Sequence, residues 1–198
     1  MRGSHRIGRV LKSLLRIGAS DEQWARVVMN RETRAMVAGL EPGRLKALEI
    51  SGNGWGNQMT FREYRSVSYP EFDICESRLA ETFDLIIAEQ VFEHLLWPYR
   101  AGRNVHAMLN PGGHFLITTP FLVKIHDAPA DCTRWTETGI RYFLAECGFD
   151  LERIRTGSWG NRACVRGNLS RWWAYRRLIH SLRNEPDFPV EVWALAEK

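Results

Sequence analysis

The sequence predicts an α/β fold, a doubly wound sheet of mostly parallel strands, on three observations. Short apolar segments alternate with amphipathic ones along most of the chain. One of them, Phe83–Ala88, is apolar at nearly every position, as a strand covered on both faces must be. Another, Leu45–Ile50, runs directly into a glycine-rich stretch, Gly52-Asn-Gly-Trp-Gly56.

The elements follow in order. Arg6–Ile17 places Ile7, Val10, Leu11, Leu14 and Leu15 on one face with Arg9, Lys12 and Arg16 between them, which predicts a basic amphipathic helix. Asp21–Leu40 reads as a second helix, opened by Ser20/Asp21 and closed near Gly39 and Pro42. Leu45–Ile50 and Tyr64–Tyr69 read as the first two strands and Phe83–Ala88 as the third. A helix over Tyr99–Leu109 ends at Asn110-Pro-Gly-Gly113, before a strand at His114–Thr118. Thr136 is placed to cap a helix over Glu137–Cys147, with Gly148 as its stop. Phe149–Arg155 and Val190–Ala196 complete the strands, and Leu169–Arg183 reads as an amphipathic helix rich in Arg and Trp.

At 198 residues the chain suits one domain, with residues 1–42 as a helical cap and 157–189 as a basic, Trp-rich insertion between the last two strands. Four cysteines without CxxC pairing or zinc-like spacing are expected to be reduced thiols of a cytoplasmic protein. No apolar run reaches the roughly 18 residues of a membrane span. The net charge of +4 is uneven, since neither Met1–Ser20 nor Gly157–Asn184 contains an acid. Nucleic acid is not the expected partner, because no reader motif accompanies so modest a charge.

Four segments carry a family resemblance. Ala47-Leu-Glu-Ile-Ser-Gly-Asn-Gly-Trp-Gly56 resembles the first motif of the class I S-adenosylmethionine-dependent methyltransferases, an acid closing strand one before a glycine loop. Thr82–Leu95 is similar to their fourth-strand motif, Leu109–Phe121 to their turn and fifth strand, and Val190–Ala196 to their last strand. The resemblance, from Leu45 to Lys198, implies a seven-stranded sheet with an antiparallel last strand, and S-adenosylmethionine as cofactor. By the same resemblance Glu49, Ser51, Gly52, Gly54, Glu89 and Gln90 would surround the methionine part of the cofactor. Asp73, Ile74 and Glu76 would meet the adenine, and Ser68 the ribose, where the family carries an acid. Two further departures are that the glycines fall one residue later than in the family, and that Gly56–Tyr64 is short for the usual helix.

Methyl transfer from a sulfonium needs alignment, a dry site and, for some acceptors, a base. Two histidines are candidates. His94, in Gln90-Val-Phe-Glu-His94, resembles a position in an O-methyltransferase subgroup where two acids and a histidine hold a divalent cation. With Gln90 at the first acid position, no metal is expected here. His126 lies in the loop after the fifth strand, which resembles a segment that lies over the pocket in a methyltransferase subgroup, with Asp131 and Arg134 expected to pair nearby. The function implied is S-adenosylmethionine-dependent methylation of a small molecule, saccharide or lipid-linked acceptor, at oxygen. The alternative is an inactive scaffold of the same fold. The basic segments Arg6–Ile17 and Leu169–Arg183 would make peripheral membrane contact or hold an anionic acceptor.

Overall fold

A computed structural model describes residues 19–127 and 129–198. The helix expected at Arg6–Ile17 lies outside the described residues. Strand β1 (Ala19–Gln23) leads into helix α1 (Arg26–Ala38), and β2 (Lys46–Ile50) into the short helix α2 (Gly54–Gln58). Strands β3 (Glu63–Val67) and β4 (Phe83–Glu89) precede helix α3 (Pro98–Met108) and the long strand β5 (Leu109–Pro120). Helix α4 (Glu137–Glu146), strand β6 (Ile154–Trp159), helix α5 (Arg162–Asn168), and strands β7 (Ala174–Arg176) and β8 (Glu191–Glu197) complete the chain.

The main sheet has the order β3-β2-β4-β5-β8-β6. β2, β3, β4 and β5 are mutually parallel, and β8 runs antiparallel to both β5 and β6. The α/β class and the antiparallel last strand are therefore as expected. Among the described residues the sheet holds six strands where seven were expected, because the segment between β3 and β4 forms turns and no strand.

Strand alternation explains why both faces are covered. Ile86 and Ala88 of β4, with Phe115 and Ile117 of β5, face the cluster that α3 and α4 cover; Leu85, Ile87 and Leu116 face the other way, toward Val37 and Trp55. A third cluster joins Val28 and Met29 of α1 to Trp159, Cys164 and Trp193. Thr136 caps α4 by accepting from the Gly139 N–H at 3.0 Å, and Gly148 follows with φ 112°.

Two expectations are corrected. Residues 19–23 form a strand, so the second helix starts at Arg26 and neither Ser20 nor Asp21 caps it. Leu169–Arg183 is not a helix. Helix α5 ends at Asn168, and β7 pairs antiparallel with β1, the Trp24 N–H donating to the Trp173 carbonyl at 2.8 Å. The segment is then anchored by single rings: Trp24 stacks on His180 at 4.2 Å, and the Trp173 indole donates to the Gly167 carbonyl. Of the apolar positions that suggested a helix, Leu169, Leu178 and Ile179 are exposed, while Leu182 packs against the cluster around Trp159. A smaller shift lies upstream of β6, where Leu151–Arg153 forms a 3-10 turn capped by Asp150.

Candidate active site

The carboxyl ends of β2, β4 and β5 meet the start of β8 at one edge of the sheet. In sheets of this kind ligands bind beyond those ends. Two neighbouring strands finish there on non-glycine residues with left-handed backbone, Ser51 (φ 60°) after β2 and Gln90 (φ 56°) after β4. Side chains other than glycine rarely adopt this conformation, and where it persists the surroundings must hold it. Here the Ser51 N–H donates to the Val67 carbonyl at 2.7 Å, and the Gln90 N–H to the Thr118 carbonyl at 3.0 Å.

On the β2 side the glycine loop folds back over Glu49, which is 4% exposed. Its Oε1 accepts from the Gly54 N–H at 3.0 Å, and its Oε2 from the Trp55 N–H at 2.9 Å and the Tyr64 hydroxyl at 2.6 Å. Both oxygens are engaged, so Glu49 fixes the shape of the loop. A side chain at Gly52 would collide with Glu49 Oε1, and one at Gly56 with the Tyr64 ring. Burial first, and then the bond to Glu49, push the Tyr64 phenol well above its ordinary range, so it stays a donor. Trp55 reaches across to β4, its indole N–H donating to Glu89 Oε2 at 2.9 Å.

On the β4 side Gln90 turns toward β8. Its amide nitrogen lies 2.9 Å from Glu191 Oε2 and 3.2 Å from Thr118 Oγ1, and Arg26 of α1 reaches its Oε1 at 3.5 Å. Glu191 is 2% exposed, and burial pushes its carboxyl up to about 8 despite the Gln90 bond and the nearby Arg26.

Beyond β4 the chain makes a 3-10 turn at Phe92–His94. Glu93 is fully buried, and neither of its carboxylate oxygens has a hydrogen-bond partner among the described residues. Burial therefore pushes its carboxyl upward. His94 Nε2 lies 3.7 Å from Glu93 Oε1, while His94 Nδ1 donates to the Ala130 carbonyl. The loop after β5 brings His126 edge-on to His94, with ring centres 5.0 Å apart. His126 Nδ1 is 3.3 Å from Asp131 Oδ2 and 3.5 Å from the Arg134 guanidinium. Arg134 already grips Asp131 with two nitrogens, so the nearer carboxylate is the partner that sets the His126 tautomer. Burial lowers the His126 imidazole below its ordinary value, against the opposing pull of Asp131 and with His94 and Arg134 adding to it, which favours the neutral ring. Burial alone would raise Asp131, but Arg134 and the His126 N–H hold it below the usual carboxylate range. The Trp172 ring stands edge-on to His126 at 5.6 Å, with Lys124 Nζ 6.0 Å from its centre.

The remaining sequence-chosen residues lie along the segment from β3 to β4. Ser68 follows β3 and its carbonyl accepts from the Phe72 N–H. Asp73 Oδ1 holds the Cys75 N–H at 2.8 Å, and Glu76 is exposed, 3.8 Å from Arg100. Ile74 is 3% exposed and packs downward into the main core, not outward. Sequence reasoning missed Tyr64, Trp55, Arg26 and Glu191. Tyr64, Arg26 and Glu191 reach the site from other elements, whereas Trp55 lies within the glycine loop itself; among the distant ones only the odd acid opening an otherwise apolar strand, Glu191-Val-Trp-Ala-Leu-Ala196, carried any signal.

Comparison with known proteins gives a consistent result. A family model described as a methyltransferase domain matches residues 4–180. No curated protein sequence matches the chain. Among solved structures, an S-adenosylmethionine-dependent methyltransferase from Archaeoglobus fulgidus superposes with a TM-score of 0.58 at 13% identity, covering 87% of this chain and 94% of that one. One from Mesorhizobium loti gives 0.53 at 17% identity, covering 83% and 96%. The phosphoethanolamine N-methyltransferase 2 of Haemonchus contortus, solved with phosphomonomethylethanolamine and S-adenosylhomocysteine, gives 0.56 at 15%, covering 85% of this chain and 53% of that one.

Proposed function

Given that the chain belongs to the methyltransferase-domain family, we propose that it is an S-adenosylmethionine-dependent enzyme that methylates a hydroxyl of a small-molecule, saccharide or lipid-linked acceptor at the carboxyl edge of its sheet. The observation that carries this reading is the pair of left-handed residues, Ser51 and Gln90, closing adjacent parallel strands beside a buried, fully bonded Glu49. Backbone held in this way is characteristic of a surface built to receive a ligand.

The residues fit the cofactor with one change of role. Both Glu49 oxygens are engaged and it positions the Gly52–Gly54 loop, whereas Glu89 Oε1, without a hydrogen-bond partner among the described residues, is left for the methionine ammonium. Ser51 and Gln90 border the same place, Ser68 stands at the end of β3 for the ribose, and Asp73 and Glu76 offer acceptors to the adenine amine. Ile74 supports that segment from below. When bound, S-adenosylmethionine supplies a methyl group on a positively charged sulfur.

The acceptor side is then the loop bearing His126 and the turn bearing His94. A neutral His126, oriented by Asp131, can take the proton of an acceptor hydroxyl as the oxygen attacks the methyl carbon. Trp172 and Lys124 beside it, with exposed Leu96, Trp97 and Ile125 as chain neighbours of the two histidines, make an apolar and basic rim. Such a rim suits an acceptor with an apolar or ring-shaped body and negative charge. Calorimetric titration with S-adenosylhomocysteine tests the cofactor site. Binding at one site per chain is expected; a folded protein that takes up none would leave the inactive scaffold as the better reading.

A further inference from the structure

We propose that the turn Arg176-Arg-Leu-Ile179, with residues 169–173 leading to it, is a docking surface for an anionic phospholipid bilayer. It lies beside the acceptor side of the site, so its purpose, though not its binding, rests on the functional reading above.

The charge comes first. From residue 157 to residue 184 the chain carries no Asp or Glu. Arg166, Arg171, Arg176, Arg177 and Arg183 are all exposed, and among the described residues none has a carboxylate partner; the ion pairs of this region end at Arg162–Glu185. Arg171 lies flat against the Trp173 ring, 3.7 Å from its centre. Cations clustered in this way without counter-charges set up a positive field that an anionic surface neutralises.

The apolar part is held outward by the fold. The Ile179 and His180 N–H groups both donate to the Arg176 carbonyl, at 3.0 and 2.8 Å, and the Arg176 N–H donates to His180 Nδ1 at 3.1 Å. His180 is buried and stacked on Trp24. The ring thus clamps both ends of the turn, and Leu178, 80% exposed, and Ile179 stand at its tip. Single exposed aliphatics are ordinary on protein surfaces. Two adjacent ones on a tightly bonded turn, directly after two unpaired arginines, have the composition of an interfacial anchor. The aliphatics enter the acyl boundary while the cations meet the headgroups.

The surface is continuous with the site. Lys124 Nζ donates to the Ser170 carbonyl at 3.1 Å, which joins the loop after β5 to this segment between exposed Leu169 and Arg171. Ile125, next along that loop, is exposed, and Trp172 stands edge-on to His126. Leu178 is six residues beyond Trp172, at most about 22 Å of extended chain. A bilayer docked here stands beside the mouth of the site. Other anionic partners explain less. A nucleic acid meets the arginines through its phosphates but leaves the two aliphatics without a role. A protein partner needs a complementary face, whereas a fluid bilayer accommodates a projecting turn.

The test is flotation of the full-length protein with vesicles of equal parts phosphatidylcholine and phosphatidylglycerol. Partition should be about tenfold stronger than to phosphatidylcholine alone and should fall as salt is raised. Arg176→Gln with Arg177→Gln should weaken it about tenfold or more, since each cation at such a surface contributes roughly fivefold. Leu178→Ser with Ile179→Ser should weaken it about tenfold and leave its salt dependence in place. Arg44→Gln, ahead of the amino end of β2, should change nothing. All five positions are exposed, and circular dichroism confirms the fold. Equal partition to both vesicle types, or undiminished partition of either double variant, overturns the inference. Competition by a DNA duplex that the Leu178→Ser, Ile179→Ser protein binds as well as the parent assigns the surface to polyanions and overturns it too. S-adenosylhomocysteine titration of the same samples separates the two readings. Cofactor binding without vesicle binding sinks the docking surface alone, and vesicle binding without cofactor binding sinks the methyl-transfer reading and leaves the surface standing.

Discussion

The two halves of the sheet edge are built on opposite principles. Under the glycine loop, Glu49 is buried and satisfied three times over, by Gly54, Trp55 and Tyr64. Across β4, among the described residues, Glu191 is buried with one side-chain donor, Gln90, and Glu93 with none. A buried carboxylate that accepts several N–H and O–H groups is a rigid strut, while one left short holds its proton. The first half therefore shapes a cradle, and the second keeps unmet capacity next to where chemistry is placed.

The largest effect expected from breaking this contrast comes from Glu49→Ala. It leaves the Gly54 and Trp55 N–H groups and the Tyr64 hydroxyl without their acceptor. The cost is about 3 kcal/mol, roughly 1 for each donor left unpaired. Urea unfolding reads it as a fall in midpoint, and S-adenosylhomocysteine binding should disappear with the loop geometry. A loss below about 1 kcal/mol would show that the strut is not one.

The β8 side should respond to pH in the reverse sense from an ordinary ion-paired acid. Glu191 titrates near 8 when folded, against an ordinary 4.5. Between those values the folded chain keeps a proton that the unfolded chain has lost. Unfolding free energy then falls as pH rises, by about 1.4 kcal/mol per unit, and levels off above pH 8. Below pH 4.5 both states are protonated and this contribution is constant. Glu93 adds a slope of the same sign, so the measurement is a difference. Glu191→Gln should remove roughly one proton's worth of slope between pH 5 and 8, and identical slopes for the two proteins would contradict the burial argument.

The sequence disclosed the parts of this arrangement that are local. The sheet strands, the glycine turn after β2 and the Thr136 cap are set by neighbouring residues, and the structure places them within a few positions of where pattern put them. Leu169–Arg183 fails for the opposite reason. Its fate depends on β1, about 150 residues earlier, which supplies a strand partner that apolar spacing cannot reveal. Glu49 was identified from its motif, but that its carboxylate is spent on the loop depends on Tyr64 from β3. His94 and His126 were each visible as single candidates; that they meet at one orphaned carboxylate required the fold.

The smallest expected change in stability belongs to Gly54→Ala, and it sharpens the distinction between a loop that folds and a loop that binds. A methyl group at Gly54 would meet only Gln58 Nε2 at 3.5 Å and Glu49 Oε1 at 3.9 Å, both ordinary contacts, unlike the collisions at Gly52 and Gly56. Gly54 opens α2, where alanine is also the better helix former. Stability should therefore stay within about 0.5 kcal/mol of the parent. In the cofactor site proposed above, the same methyl group stands on backbone that the methionine part approaches, and its volume would be taken from the ligand. Affinity for S-adenosylhomocysteine should fall about tenfold or more, equivalent to roughly 1.4 kcal/mol, in a protein with unchanged melting temperature. An unaltered affinity in that folded variant would place the cofactor away from the glycine loop, and with it the roles given to Glu89 and Ser51.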